Sequence, residues 1–72
     1  MKKYLVIIEK TPTGFSAFCP DLPGCVSTSK TKASLIKSMA KAIEVHLEAM
    51  KDEGLKIPAP RSSSTYLEIR AA

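Results

Sequence analysis

The stretch Pro20-Asp21-Leu22-Pro23-Gly24-Cys25 limits the fold more than any other part of the chain. Proline fixes φ and donates no backbone hydrogen bond, whereas glycine permits positive φ. Neither a helix nor a central strand runs through two prolines and a glycine spaced so closely. Asp21 can bond its own backbone two residues on, which favours a turn. The segment reads as a rigid connection. Before it the chain has strand character, and soon after it the apolar period becomes helical.

Tyr4-Leu5-Val6-Ile7-Ile8 is apolar on both alternating faces and rich in β-branched residues. Such a run suits a strand covered on both sides. Lys10-Thr11-Pro12-Thr13-Gly14 supplies turn chemistry. Phe15-Ser16-Ala17-Phe18-Cys19 is a second strand, with Phe15, Ala17 and Cys19 on one side and Ser16 and Phe18 on the other. The two predict an antiparallel hairpin. Cys25-Val26-Ser27-Thr28 reads as a short third strand.

Thr28, Ser29 or Thr31 can cap a helix predicted from about Lys32 to Glu53, with Gly54 as its terminator. Ile36, Met39, Ile43, Leu47 and Met50 fall on one helical stripe, which is expected to pack on the sheet. Lys37, Lys41, Glu44, Glu48 and Asp52 form a charged face. Ser38, Ala42, Val45 and Ala49 make a further stripe of small side chains, roughly opposite the core stripe. Alanine is the best helix former, so propensity alone accounts for this stripe. The sharper alternative is a close helix contact in an oligomer, which makes these four residues a candidate oligomer face.

Pro58 and Pro60 impose an extended path after the helix, and Ser62-Ser63-Ser64 reads as a polar loop. Thr65-Tyr66-Leu67-Glu68-Ile69-Arg70 alternates cleanly and reads as a last strand. Leu67 and Ile69 face in, while Tyr66, Glu68 and Arg70 face out. A half-solvated strand belongs at a sheet edge, on its own sheet or on a partner's. The predicted order is βββαβ, an α+β fold with one helix packed on one face of the sheet. The other face, with Leu5, Ile7 or their neighbours, needs a different cover, which predicts self-association as a dimer or tetramer.

The 72 residues make a single domain, 1–72, with a marginal core of the kind that oligomerisation often completes. At 44% hydrophobic and 25% charged, the composition is that of a globular protein. No apolar run is long enough to span a bilayer. After Met1-Lys2-Lys3 the run Leu5 to Ile8 is too short for a signal sequence. The expected location is the cytoplasm, where Cys19 and Cys25 would be reduced, partly buried thiols. A disulfide between them is conceivable across a hairpin. His46 lies far from both, with no second Cys/His pair, which argues against zinc.

The net charge of +4 is concentrated in residues 1–41, where seven lysines face only Glu9 and Asp21. A solvated surface accounts for this, and so does an anionic partner such as RNA. Arginines do not cluster, and aromatics for base stacking are few.

Catalytic chemistry finds little support. Glu9, Glu44, Glu48 and Glu68 are spread over a strand, a helix and the last strand, and a metal-dependent nuclease needs converging carboxylates. His46 sits at the border of the apolar stripe with no serine or carboxylate placed beside it. Three isolated glycines make no phosphate-binding loop. No cofactor is expected.

The turn Pro20-Asp21-Leu22-Pro23-Gly24-Cys25, preceded by Gly14-Phe15-Ser16-Ala17, resembles the signature of the HicB-like antitoxin domain. The strand Tyr4 to Glu9 agrees with it. So does Gly54-Leu55-Lys56-Ile57-Pro58-Ala59-Pro60, which is similar to that family's Gly-x-x-Ile-Pro-x-Pro ending. The resemblance implies a partial RNase-H-like fold of order βββαβ and oligomerisation through the domain. It implies a non-catalytic protein that neutralises a HicA-type mRNA-cleaving toxin by covering its active surface. Many relatives carry a C-terminal DNA-binding domain. None is read in this chain, so DNA binding is not expected of it.

Ser29-Lys30-Thr31-Lys32-Ala33 stands where the family usually has a Gly-Asp-Thr-like turn and acidic residues. Positive charge there removes a favourable interaction with the helix N-terminus and loses attraction to a basic toxin. That leaves either an orphan member or pairing through apolar contacts. Two further functions stand beside the antitoxin one: a stand-alone RNA-binding module using the front-half lysines, and a degenerate RNase-H-like nuclease.

Overall fold

The computed structural model describes residues 2–71; Met1 of the basic start and Ala72 lie outside that range. The elements are β1 (Ile7–Thr11), β2 (Gly14–Phe18), β3 (Val26–Ser29) and α1 (Lys32–Asp52). The strands form one antiparallel sheet in the order β1-β2-β3. Helix α1 packs on one face, over β2 and β3 more than over β1. The α+β class and the βββα succession agree with the sequence.

The hairpin sets the register. Thr11 pairs with Gly14 across the two-residue loop Pro12-Thr13, and the ladder grows from there to Ile7 opposite Phe18. Among the described residues no non-glycine residue has positive φ, so this loop is not one of the primed turns that dominate short hairpins. The ladder therefore lies later than the apolar run Tyr4 to Ile8 suggested. Beyond Phe18 the second strand gives way to the turn, and residues 4–6 have no ladder partner. Tyr4 and Val6 instead pack against the core.

Pairing sorts the side chains. Ile8, Ala17 and Ser27 lie in register on the helix side, as do Lys10, Phe15 and Ser29. Ile7, Phe18 and Val26 lie in register on the outer side, where Phe18 and Val26 are exposed. This outer row is the uncovered face anticipated from Leu5 and Ile7. Gly14 is a packing requirement rather than a turn device. A Cβ there would stand 2.3 Å from the Ser29 carbonyl oxygen.

The core consists of Ala17, Cys19, Leu22, Cys25, Leu35 and Met39. It is flanked by half-buried side chains that include Ile8, Phe15, Ile43, Leu47 and Met50. Leu35 is the most buried residue of α1, while Ile36, placed on the core stripe by its spacing, is 54% exposed. The helix is rotated toward β3, so Leu35 and Met39 point at the sheet and Ile36 falls on the flank beside β1.

Thr31 caps the helix. Its backbone is extended, and its Oγ1 accepts a hydrogen bond from the Ser34 amide at 3.1 Å. At the other end Gly54 has φ 73°, its amide donates to Lys51 and the Leu55 amide donates to Met50. This double bond is a Schellman motif.

Residues 65–70 do not form the expected fourth strand: among the described residues no strand follows α1. Pro58 and Pro60 cannot donate to a ladder. Further on, Tyr66, Leu67 and Ile69 are fully or largely exposed.

Candidate interaction surfaces

The six-residue motif proves to be two consecutive β-turns. The Leu22 amide donates to the Cys19 carbonyl at 3.1 Å, and the Cys25 amide donates to the Leu22 carbonyl at 3.0 Å. Each turn has proline at its second position, where φ is already set. In the second turn Gly24 has φ 84°, the value a type II turn demands at its third position. A bond from the Cys19 amide to the Cys25 carbonyl closes the neck. The turns aim Leu22 and Cys25 into the core and leave Pro20, Pro23 and Gly24 on the surface.

Asp21 faces a third direction. Its Oδ2 accepts from the backbone amides of Arg61 (2.9 Å) and Ser62 (3.0 Å), and its Oδ1 accepts from Ser62 Oγ (2.8 Å). These bonds favour the ionised carboxylate and hold its pKa below the ordinary value. The Tyr4 hydroxyl donates to the Pro58 carbonyl at 2.5 Å. Tyr4 and Asp21 together strap the segment after the helix onto the body. No local sequence pattern reveals either contact, because each links residues more than 39 positions apart.

Ser38, Ala42, Val45 and Ala49 come together on the flank of α1 that faces β3. With Gly24, Cys25 and Val26 they line a shallow apolar groove of about 630 Å³, and Lys41 and His46 complete it. The motif turn and the small-residue stripe, read separately in the sequence, thus share one surface. Val26 and Val45 are exposed on it. Cys19 and Cys25 are free thiols buried beneath. Burial, and secondarily the neighbouring Cys19, pushes the Cys25 pKa up.

A second apolar groove of about 210 Å³ runs on the other flank, between β1 and α1. Val6, Ile8, Leu35, Ile36, Ala40 and Ile43 line it. The carboxylates considered for catalysis, Glu9, Glu44, Glu48 and Glu68, are all exposed. Among the described residues no three of His, Cys, Asp and Glu gather as a metal ion would need. No helix of the described residues is long and apolar enough to cross a membrane.

The chain thus combines a small α+β sheet with one covered face, a strapped tail and apolar grooves on either flank of α1. Comparison with known proteins assigns it to a family. The model of the HicB-like antitoxins of bacterial toxin–antitoxin systems matches residues 4–70. The chain belongs to this HicB-like antitoxin family. A UPF0150 protein of Thermoplasma acidophilum is 39% identical over 57 residues, covering 78% of this chain and 83% of its own. A UPF0150 protein of Synechocystis is 38% identical over 56 residues, covering 76% of this chain and 71% of its own. Among solved structures, a chain of a HicA3 and HicB3 toxin–antitoxin complex superposes with a TM-score of 0.71 at 37% identity, covering 83% of this chain and 70% of that one.

Proposed function

We propose that the protein is a non-catalytic antitoxin that binds and neutralises a HicA-type, mRNA-cleaving toxin in the cytoplasm. The observation that carries this reading is the likeness in fold and sequence to a chain of a toxin–antitoxin complex. The apolar groove of Gly24, Cys25, Val26, Ala42, Val45 and Ala49 supports it in kind. A chain of net charge +4 gains little from electrostatic steering toward a basic partner, and its affinity must come from apolar contact.

The test is inhibition of RNA cleavage by a HicA-type toxin encoded beside this chain. Stoichiometric protein should abolish cleavage, and cleavage that persists in excess protein refutes the reading. Inhibition should change little with salt. An RNA-binding module would instead lose affinity steeply through counterion release. Val45→Glu assigns the groove. Weakened inhibition at unchanged mass places the toxin there, whereas a halved mass in light scattering makes it a contact between copies.

A further inference from the structure

Cys19 and Cys25 stand at the two ends of the motif turn, and the register of the sheet sets them opposite each other. The β2–β3 ladder pairs Ala17 with Ser27 and Phe18 with Val26. One step further the same register brings Cys19 opposite Cys25. The bond from the Cys19 amide to the Cys25 carbonyl, at 3.2 Å, carries the pairing to that step. Side chains two apart on a strand share a face, so Cys19 lies on the side of Ala17 and Cys25 on the side of Ser27. For both this is the helix side. Both thiols are buried there in one cluster with Ala17, Leu22, Leu35 and Met39.

Hydrogen-bonded residues opposed in an antiparallel pair have Cα atoms about 5.5 Å apart. A disulfide spans Cα separations of about 4.4–6.8 Å, most often about 5.5–6 Å. Rotation of the two side chains can therefore join the sulfurs without moving the strands. The turn between them is stiff. Pro20 and Pro23 fix their own φ angles, and the bonds from the Leu22 and Cys25 amides close the two turns. The two ends stay together as long as the core is closed.

We propose that Cys19 and Cys25 form a redox pair, which a small-molecule disulfide such as oxidised glutathione converts into one intramolecular disulfide across the neck of the motif turn. In the first step the thiolate of one cysteine attacks a sulfur of the oxidant. A mixed disulfide forms, and one small thiolate leaves. In the second step the other cysteine, as its thiolate, attacks the protein sulfur of the mixed disulfide and expels the second small thiolate. The protein loses two electrons and two protons, and the oxidant takes up both and departs as two thiols. Burial makes the first step wait for the core to open, whereas the second is intramolecular and fast. In a reducing compartment the pair rests as thiols and responds when the disulfide pool becomes oxidised. The new bond joins residues that are already opposed, so it fits the closed core and holds the turn down. Gly24, Cys25 and Val26, which form one side of the groove on α1, are fixed with it, whatever partner the groove takes.

The test equilibrates the full chain in mixtures of oxidised and reduced glutathione, natively and in urea, and reads the acid-quenched products by mass spectrometry. The expected product is a chain lighter by two hydrogens with no glutathione attached. It should form at a smaller share of oxidised glutathione natively than in urea. The oxidised chain should then unfold at a higher urea midpoint, and the Leu22 and Cys25 amides should exchange more slowly in it. Cys19→Ala and Cys25→Ala should each stop at one bound glutathione. Three results would overturn the proposal. They are a wild type that ends as mixed or intermolecular disulfides, a native chain as hard to oxidise as the unfolded one or harder, and a urea midpoint that does not rise on oxidation.

Discussion

The carboxylate of Asp21 grips Ser62 at two points, its Oδ2 accepting from the backbone amide at 3.0 Å and its Oδ1 from the side-chain hydroxyl at 2.8 Å. The motif turn is thereby joined to the segment that follows the helix. Proline geometry shapes the two turns, Leu22 anchors them in the core, and Asp21 uses that rigidity to fix the tail's point of departure.

The clamp is pH-sensitive. Hydrogen bonds from Arg61 and Ser62 lower the Asp21 pKa on folding. A depressed carboxylate contributes stability above its unfolded value of about 4, and that contribution is lost as pH falls through the lower folded value. Protection of the Arg61 and Ser62 amides relative to intrinsic exchange should therefore weaken as pH falls below about 4. Asp21→Asn should bring the same loss of protection at neutral pH without unfolding the helix. Unchanged exchange in this variant would mean that other contacts hold the strap.

Gly14 and Gly24 are required for opposite reasons. At Gly14 a Cβ would stand 2.3 Å from the Ser29 carbonyl oxygen, where the backbone itself must move. At Gly24 nothing lies within 4 Å, and the demand is φ 84° alone. Gly14→Ala should cost about 1–3 kcal/mol, the range for forcing atoms into packed space. Gly24→Ala should cost about 1–2 kcal/mol through backbone strain, and Gly24→Asn less, since asparagine tolerates this region better. Gly14→Asn should be worse than Gly14→Ala. Denaturant titration of the four variants tests both orders.

Much of this arrangement was legible in the sequence because it is local. Proline and glycine positions placed the turns, the apolar runs gave the order of the first three strands, and Gly54 marked the end of the helix, while Thr31 is the one of three cap candidates that is used. Contacts between distant segments were not legible. The Asp21 clamp joins positions 40 and 41 residues apart, and no local pattern encodes it. Leu22 reads in the sequence only as part of a rigid connection, because nothing in the spacing says that two turns in series swing one side chain inward. Ile36 fits the helical stripe as well as Leu35 does. Only the lateral position of α1 over β2 and β3 decides between them. The last strand shows the same limit: the alternation of residues 65–70 is plain, but alternation alone does not say which strand edge such a segment meets.

The choice between Leu35 and Ile36 is measurable. Leu35 is wholly buried against the sheet, so Leu35→Ala should cost about 2–5 kcal/mol. Leu22→Ala, at the base of the motif, should fall in the same range of about 2–5 kcal/mol. Ile36→Ala should change the monomer's stability by only about 0.5 kcal/mol, as exposed positions do. A large loss at Ile36 in dilute solution would place the helix differently on the sheet.

The two thiols predict a kinetic behaviour. Cys25 is buried at the neck of the motif, and burial, with Cys19 adding to it, raises its pKa. The thiolate is the reactive form, so at neutral pH Cys25 stays protonated as well as shielded. A disulfide-exchange reagent should therefore label it only when the core opens, at a rate that follows the equilibrium between folded and opened chain. Leu22→Ala should speed labelling, because Leu22 packs in the same cluster as both cysteines. Asp21→Asn should not, because it loosens the tail and leaves the core closed. Rapid labelling of the wild-type protein at neutral pH, or equal acceleration by both variants, would show that the motif turn opens independently of the core beneath it.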